Sequence, residues 1–311
     1  MKENVQSILD CSEKRSRYDR SERRKMMKEV KRMVEEMVER IRPDMEKKGF
    51  CVMCETKIDN KIEKHGILVR MNDEKEGIGA VVYYEPEWKE MKDDEIMDKL
   101  VAIMEKKPDV KVGEIMDREY VLNNVKPLIQ DIANEELLKG TDMFYVVEES
   151  FVMLFYIPVN LDDAGVNGQI KIRKSFLNNI EVSEKELIES AMEHLKRDLS
   201  VRSMSEIMSE MMGLDMIEKD VSMYVISNKE TYYGSAGILL EETYEKLSPI
   251  LGPVFVILPS SLHECIAVPY TGDKEDYLHM VMEVNETQVS AEEKLADHVY
   301  IRDMNGVHTL I

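Results

Sequence analysis

Residues Val254 to Pro269, VFVILPSSLHECIAVP, constrain this chain more than any other stretch. Val254, Val256 and Leu258 alternate with Phe255 and Ile257, so a strand here is apolar on both faces. Such a strand belongs in the middle of a sheet that is covered on both sides. Pro259-Ser260-Ser261-Leu262 interrupts the run before Cys265 to Val268 resumes it. Two short β-prone runs around a Pro/Ser turn predict an antiparallel hairpin. His263 and Glu264 then stand at the mouth of its second strand, and with Ser260 and Ser261 they form the leading candidate site.

The remaining periodicities predict an α+β protein with mixed, largely antiparallel sheets and helices packed on them. Val30, Val34, Met37, Val38 and Ile41 make one helical stripe that Pro43 and Gly49 bring to an end. Strands are expected at 50–58, 67–71 and 78–84, followed by a helix with Ile96, Leu100 and Ile103/Met104 inward. A hairpin is expected from 143–147 and 151–159, then a strand opening at Gly168. Ser183-x-x-Glu186, Ser203-x-x-Glu206 and Ser290-x-x-Glu293 read as capping boxes, each starting a helix. The interval from Gly77 to Glu95 equals that from Gly168 to Glu186, which suggests duplicated βββα units. The expected division is a basic N-terminal helix over 1–48, a duplicated region over 49–215, and a C-terminal α/β unit over 216–311.

Charge narrows the function classes. The chain carries −20 overall, yet residues 1–48 hold 15 Lys and Arg against 11 Asp and Glu. The acidic remainder repels nucleic acid and anionic membranes, so neither is an expected partner. The basic N-terminal helix has no interleaved aromatics for base stacking, so a solvated helix is the simpler reading. The N-terminus is polar from Lys2, and the run from Phe151 to Val159 is too short to cross a bilayer. The four cysteines have no disulfide spacing, and the expectation is a soluble cytoplasmic protein.

Nucleophilic catalysis needs a serine hydroxyl within reach of a base that a carboxylate orients. Ser260 or Ser261, His263 and Glu264 supply those residue types, so a hydrolase is one reading. The glycines of a nucleophile elbow are missing, and if both are in strand, alternation sends His263 and Glu264 to opposite faces. The alternative is serines that cap the turn and a histidine that bonds locally. Ala267 stands where H-E-x-x-H needs its second histidine, and Cys51-x-x-Cys54 is a lone pair in a strand. No metal, phosphate-loop or dinucleotide motif occurs, so no cofactor is expected.

Met204, Met208, Met211 and Met212 form a stripe that reads first as core filler and second as an adaptable partner surface. Trp88 with Tyr83 and Tyr84 reads as a domain-seam aromatic cluster or a ligand groove. Asn285, Glu286 and Thr287, at the end of the helix beside the hairpin, are candidate binding residues, and a third reading brings His263, Glu264, Asn285 and Glu286 together as a ligand-binding or polar structural cluster. Taken together, these features favour a protein- or ligand-binding interaction module over an enzyme.

LPSSLHE (Leu258 to Glu264) and VNETQVSAEEKLADHVY (Val284 to Tyr300) resemble the signature segments of a bacterial domain-of-unknown-function family from anaerobic Gram-positive bacteria. SMYVISN, YYGSAGILL and RSMSEIMSEM, between Arg202 and Leu240, are similar to its earlier segments. The resemblance is strongest over 202–302 and leaves 1–23 outside. It implies an intracellular protein in which Ser260, Ser261, His263, Glu264, Asn285, Glu286 and Thr287 belong to the family pattern, and it carries no catalytic assignment.

Overall fold

The computed structural model describes residues 2–72, 79–105, 112–148, 150–160, 167–213 and 222–311. It divides into two compact units, Met1–Val110 and Lys111–Ile311. The class is α+β, with antiparallel pairing throughout the described strands.

The first unit starts with helix α1 (Lys2–Lys47), which continues through Pro43 for one more turn before Gly49 turns the chain at positive φ. Strands β1 (Phe50–Asp59), β2 (Ile62–Met71) and β3 (Ala80–Tyr83) form a three-stranded meander. Helix α2 (Asp93–Glu105) follows. The stripe anticipated on α1 is the one buried. Val34, Met37, Val38, Ile41 and Met45 pack with Val52, Ile67 and Val69 of the sheet and with Ile96 and Leu100 of α2. The C-terminal half of α1 is therefore docked on the sheet. Trp88 also lies in this core, edge-on to Tyr84 and beneath the Lys99 ammonium.

His65 is buried in this unit, with Nδ1 2.9 Å from Thr56 Oγ1 and Nε2 3.3 Å from Glu63 Oε1. Burial pushes its pKa below the ordinary value, and Lys31 adds to this while Glu63 and Glu35 oppose it. The unfolded chain takes up a proton at this histidine near pH 6.5, where the folded chain still resists it. Its contribution is thus complete above about pH 6.5 and is lost as pH falls below that value. Thermal midpoints of the first unit should drop between pH 7 and pH 5, and His65→Gln should flatten that part of the profile.

The second unit opens with α3 (Val112–Ile115), α4 (Arg118–Asn124), β4 (Lys126–Asp131) and α5 (Glu135–Leu138). Next come β5 (Tyr145–Glu148), β6 (Phe151–Asn160), β7 (Asn167–Lys171), α6 (Lys174–Asn179) and α7 (Glu184–Asp198). β4 pairs with one edge of β6, while β7 and β5 share the other edge in tandem. In the first unit the outer strands instead flank β2 on opposite sides. Both strand sets lead into a helix, but their pairing differs, and Gly77 of the suggested repeat lies outside the described residues.

The chain then runs through β8 (Leu199–Ser203), α8 (Met204–Met212), β9 (Tyr224–Asn228), a buried 3-10 turn over Gly234–Leu239 and α9 (Glu241–Leu251). It closes with β10 (Phe255–Pro259), β11 (Cys265–Pro269), α10 (Lys274–Thr287), β12 (Tyr300–Asp303) and β13 (Gly306–Thr309). The six-stranded sheet has the order β13-β12-β10-β11-β9-β8, with the anticipated hairpin at its centre. Alternation along β10 feeds two cores. Phe255 and Ile257 join the large cluster with Cys265 and Ala267, whereas Val256 and Leu258 pack on the other face with Tyr277 and Val281 of α10. The boundary expected near 215 falls between β8 and β9, which are hydrogen-bonded neighbours in this sheet.

The boxes at Ser183/Glu186 and Ser203/Glu206 both form. At Ser290 only half of the box forms: its hydroxyl accepts from Glu293 N–H and donates to the Glu293 carboxylate, and the segment makes only one turn, not a helix. The Glu293 carbonyl accepts from Leu262 N–H at 2.7 Å, so it is drawn to the hairpin tip rather than to a following turn. The methionine stripe of α8 is likewise no core. None of that helix is buried, and Met208, Met211 and Met212 are 37%, 82% and 56% exposed. The capping box and a left-handed Gly213 hold the helix ends while its apolar face meets solvent.

Candidate functional site

The tip of the central hairpin is a hub of local bonds. Ser261 N–H donates to the Glu264 carbonyl (3.0 Å), and Ser261 Oγ accepts from His263 N–H (3.0 Å). These bonds close the turn that the Pro/Ser sequence predicts. The loop after β9 then docks on the tip. Gly234 N–H and the Ser227 hydroxyl both donate to the His263 carbonyl, and the Ser235 hydroxyl donates to the Leu262 carbonyl (2.7 Å).

The His263 ring completes the joint. Tyr233 N–H donates to Nδ1 at 3.1 Å, so Nδ1 carries no proton and the neutral ring holds its proton on Nε2. Nε2 faces Glu293 Oε1 at 3.6 Å. The ring also stacks on Tyr233 (5.4 Å between centroids) and tilts against Tyr232 (5.1 Å). Its available lone pair is therefore occupied by a backbone amide. Among the described residues neither serine hydroxyl is hydrogen-bonded to the ring, and the carboxylate beside it is Glu293 rather than Glu264. Ser260, Ser261, His263 and Glu264 share the tip without the nucleophile–base–orienter wiring of a hydrolase.

Asn285, Glu286 and Thr287 separate in role. Asn285 is buried, and its amide donates to the Ala296 carbonyl (2.8 Å) and to Asp297 Oδ1 (2.9 Å). Glu286 is exposed, and the Thr287 hydroxyl bonds back to the Glu283 carbonyl in its own helix. His263 and Asn285 thus grip two points of one connector, at Glu293 and at Ala296–Asp297.

The residues missed by spacing arguments lie in the loop 228–234. The Asn228 side chain clamps Tyr232 through both its carbonyl and its amide N–H. Thr231 and Tyr233 take positive φ, which costs a residue with a side chain and persists only when its surroundings hold it. Tyr156 of β6 packs edge-on to Tyr232 and Tyr233, and burial pushes its phenol well above the ordinary range. Lys126, opposite Tyr156 in the sheet, bonds Glu230 (2.6 Å) and faces Asp198 (3.9 Å). Burial opposes ionisation of Asp198, yet Arg197, Lys126 and Lys229 outweigh it and hold that carboxyl below its usual range. The sequence signal was Tyr232-Tyr233-Gly234 followed by small residues directly after a strand.

Among the described residues no group of three His, Cys, Asp or Glu is placed to hold a metal ion. Cys51, Cys54 and Cys265 are free thiols, and burial raises the pKa of both Cys54 and Cys265. No described helix is long and apolar enough to cross a membrane.

No curated protein and no solved structure matches the chain. A family model does match, over residues 25–303, which begins close to the point where the sequence resemblance does. That span takes in α8, the clamped tyrosine loop, the hairpin tip and Asn285, and the chain belongs to the family of unknown function DUF5688.

Proposed function

We propose that the chain is a cytoplasmic protein-interaction module and that α8 is its contact helix. The observation that carries this reading is a nine-residue helix with no buried residue and three exposed methionines on one face. A helix this short gains little from propensity alone, so its apolar face is the part a partner would stabilise. Methionine adapts its shape to what it meets, which suits a recognition surface. The net charge of −20 favours a partner with a cationic rim around its own apolar patch. Polar groups at the hairpin tip serve the fold in this reading, holding the sheet that carries α8.

The test is site-specific crosslinking in the producing cell, with a photoreactive phenylalanine analogue at position 211. One defined protein should be captured, and purified partner should bind Met208→Gln/Met212→Gln at least about tenfold more weakly. The thermal midpoint should be unchanged, because these side chains already face water. Equal affinity for the variant and the parent would remove α8 from the interface.

A further inference from the structure

The first unit carries a groove of about 620 Å³ between α1 and β1, lined by Glu35, Glu36, Val38, Glu39, Arg40, Arg42 and Cys54. Among the described strands β1 is one of the two edges of its sheet, and it is ten residues long. Long, straight edges are usually blunted, because their unpaired backbone groups template another strand. The direction of those groups follows from the register. Asn72 N–H bonds the Gly49 carbonyl, so 49 and 72 are a hydrogen-bonded pair. Alternation then turns Cys51, Met53 and Glu55 toward β2, and turns the backbone N–H and C=O of Val52, Cys54 and Thr56 toward the open edge. Cys54, near the midpoint of β1, is the strand residue that lines the groove.

The helix wall of the groove changes sign along its length. Glu35, Glu36 and Glu39 precede Arg40 and Arg42, with Val38 between Glu36 and Glu39. Reversed end for end, this wall complements itself, because Glu35 then meets Arg42 and Glu36 meets Arg40. A twofold axis through Cys54 would pair two β1 edges antiparallel, and one near Val38 would oppose these charges. Both residues line the same groove, so the two relations lie close together in space.

We propose that β1 and α1 form a self-complementary surface and that a second copy of this chain occupies it, joining two three-stranded sheets into one of six strands. The contact is isologous, as a closed twofold dimer requires. Strands at the sheet spacing of about 4.8 Å place the two α1 helices side by side over the new seam. The Arg42–Glu39 and Arg40–Asp93 pairs within one copy are exposed, so each arginine can share its charge with a carboxylate of the second copy. This surface is independent of α8 and stands or falls separately from the partner proposed above.

Sedimentation velocity on the full chain at micromolar concentration tests it. The expected mass is twice the 36.2 kDa of one chain. Glu35→Arg sets like charges against each other and should shift the species to monomer, and Glu35→Arg/Arg42→Glu should restore the dimer. Cys54→Pro removes an outward N–H without touching the β1–β2 bonds, and should also give monomer with the circular dichroism retained. A parent chain that sediments as a monomer overturns the proposal. So does a dimer that survives both Glu35→Arg and Cys54→Pro, because its interface then lies elsewhere.

Discussion

Replacing Gly234 by alanine is expected to destabilise the second unit by about 2–4 kcal/mol, since the new methyl has nowhere to go. A Cβ at this position would stand 2.4 Å from Asn228 N, 2.5 Å from Ser227 Oγ and 2.7 Å from the Ser227 carbonyl carbon. Two of these are backbone atoms of a strand paired on both sides, so relief requires moving β9 itself. Gly234 N–H also donates to the His263 carbonyl, and a shifted loop would lose that bond. Gly140→Ala provides the contrast. Gly140 has φ +79 and nothing within 4 Å of the added atom, so only the conformational cost of about 1 kcal/mol applies. Urea unfolding of the two variants measures both values.

His263→Ala should cost about 2–4 kcal/mol, because three separate interactions leave with the ring. Tyr233 N–H loses its acceptor, the two tyrosine rings lose their stacking neighbour, and Glu293 loses its contact to the tip. His263→Asn keeps an oxygen near the Nδ1 position and should recover a substantial part of the loss. Ser261→Ala should cost about 1 kcal/mol for the turn bond it makes to His263 N–H. Denaturant midpoints for the three variants rank these interactions. A fall in stability that followed the serine rather than the histidine would contradict the arrangement.

The hairpin at 255–269 was legible because an unbroken run of apolar side chains leaves a strand no exposed face. Its two faces do enter two separate cores, one with Phe255 and Ile257 and one with Val256 and Leu258. Helix α1 and the boxes at Ser183 and Ser203 were legible for similar reasons, since their signals are local and repeat at helical spacing. Ser290-x-x-Glu293 shows where local signals end. Its serine accepts from Glu293 N–H as an N-cap does, but the return bond of a box is not among the described bonds, and the Glu293 carbonyl accepts from Leu262 in a distant segment.

The methionine stripe of α8 marks a different limit. Periodicity establishes that a helix has an apolar face, and says nothing about what lies opposite. Tyr232 and Tyr233 were invisible to motif spacing because their partners, His263 of the hairpin tip and Tyr156 of β6, come from distant parts of the chain. Ser260 and Ser261 drew attention as possible nucleophiles, while the tyrosine loop and Glu293 supply the contacts that fix the histidine.

The central claim is that the His263 ring is a structural acceptor at a sealed joint. A long-range ¹H–¹⁵N correlation spectrum of the histidine side chains at neutral pH tests it most directly, with His263→Asn identifying the signal. The account predicts a neutral ring protonated on Nε2, with Nδ1 shifted as a hydrogen-bonded acceptor and a slowly exchanging Tyr233 amide. A ring protonated on Nδ1, with Nε2 bare and a fast Tyr233 amide, would contradict it and leave the histidine free to act as a base.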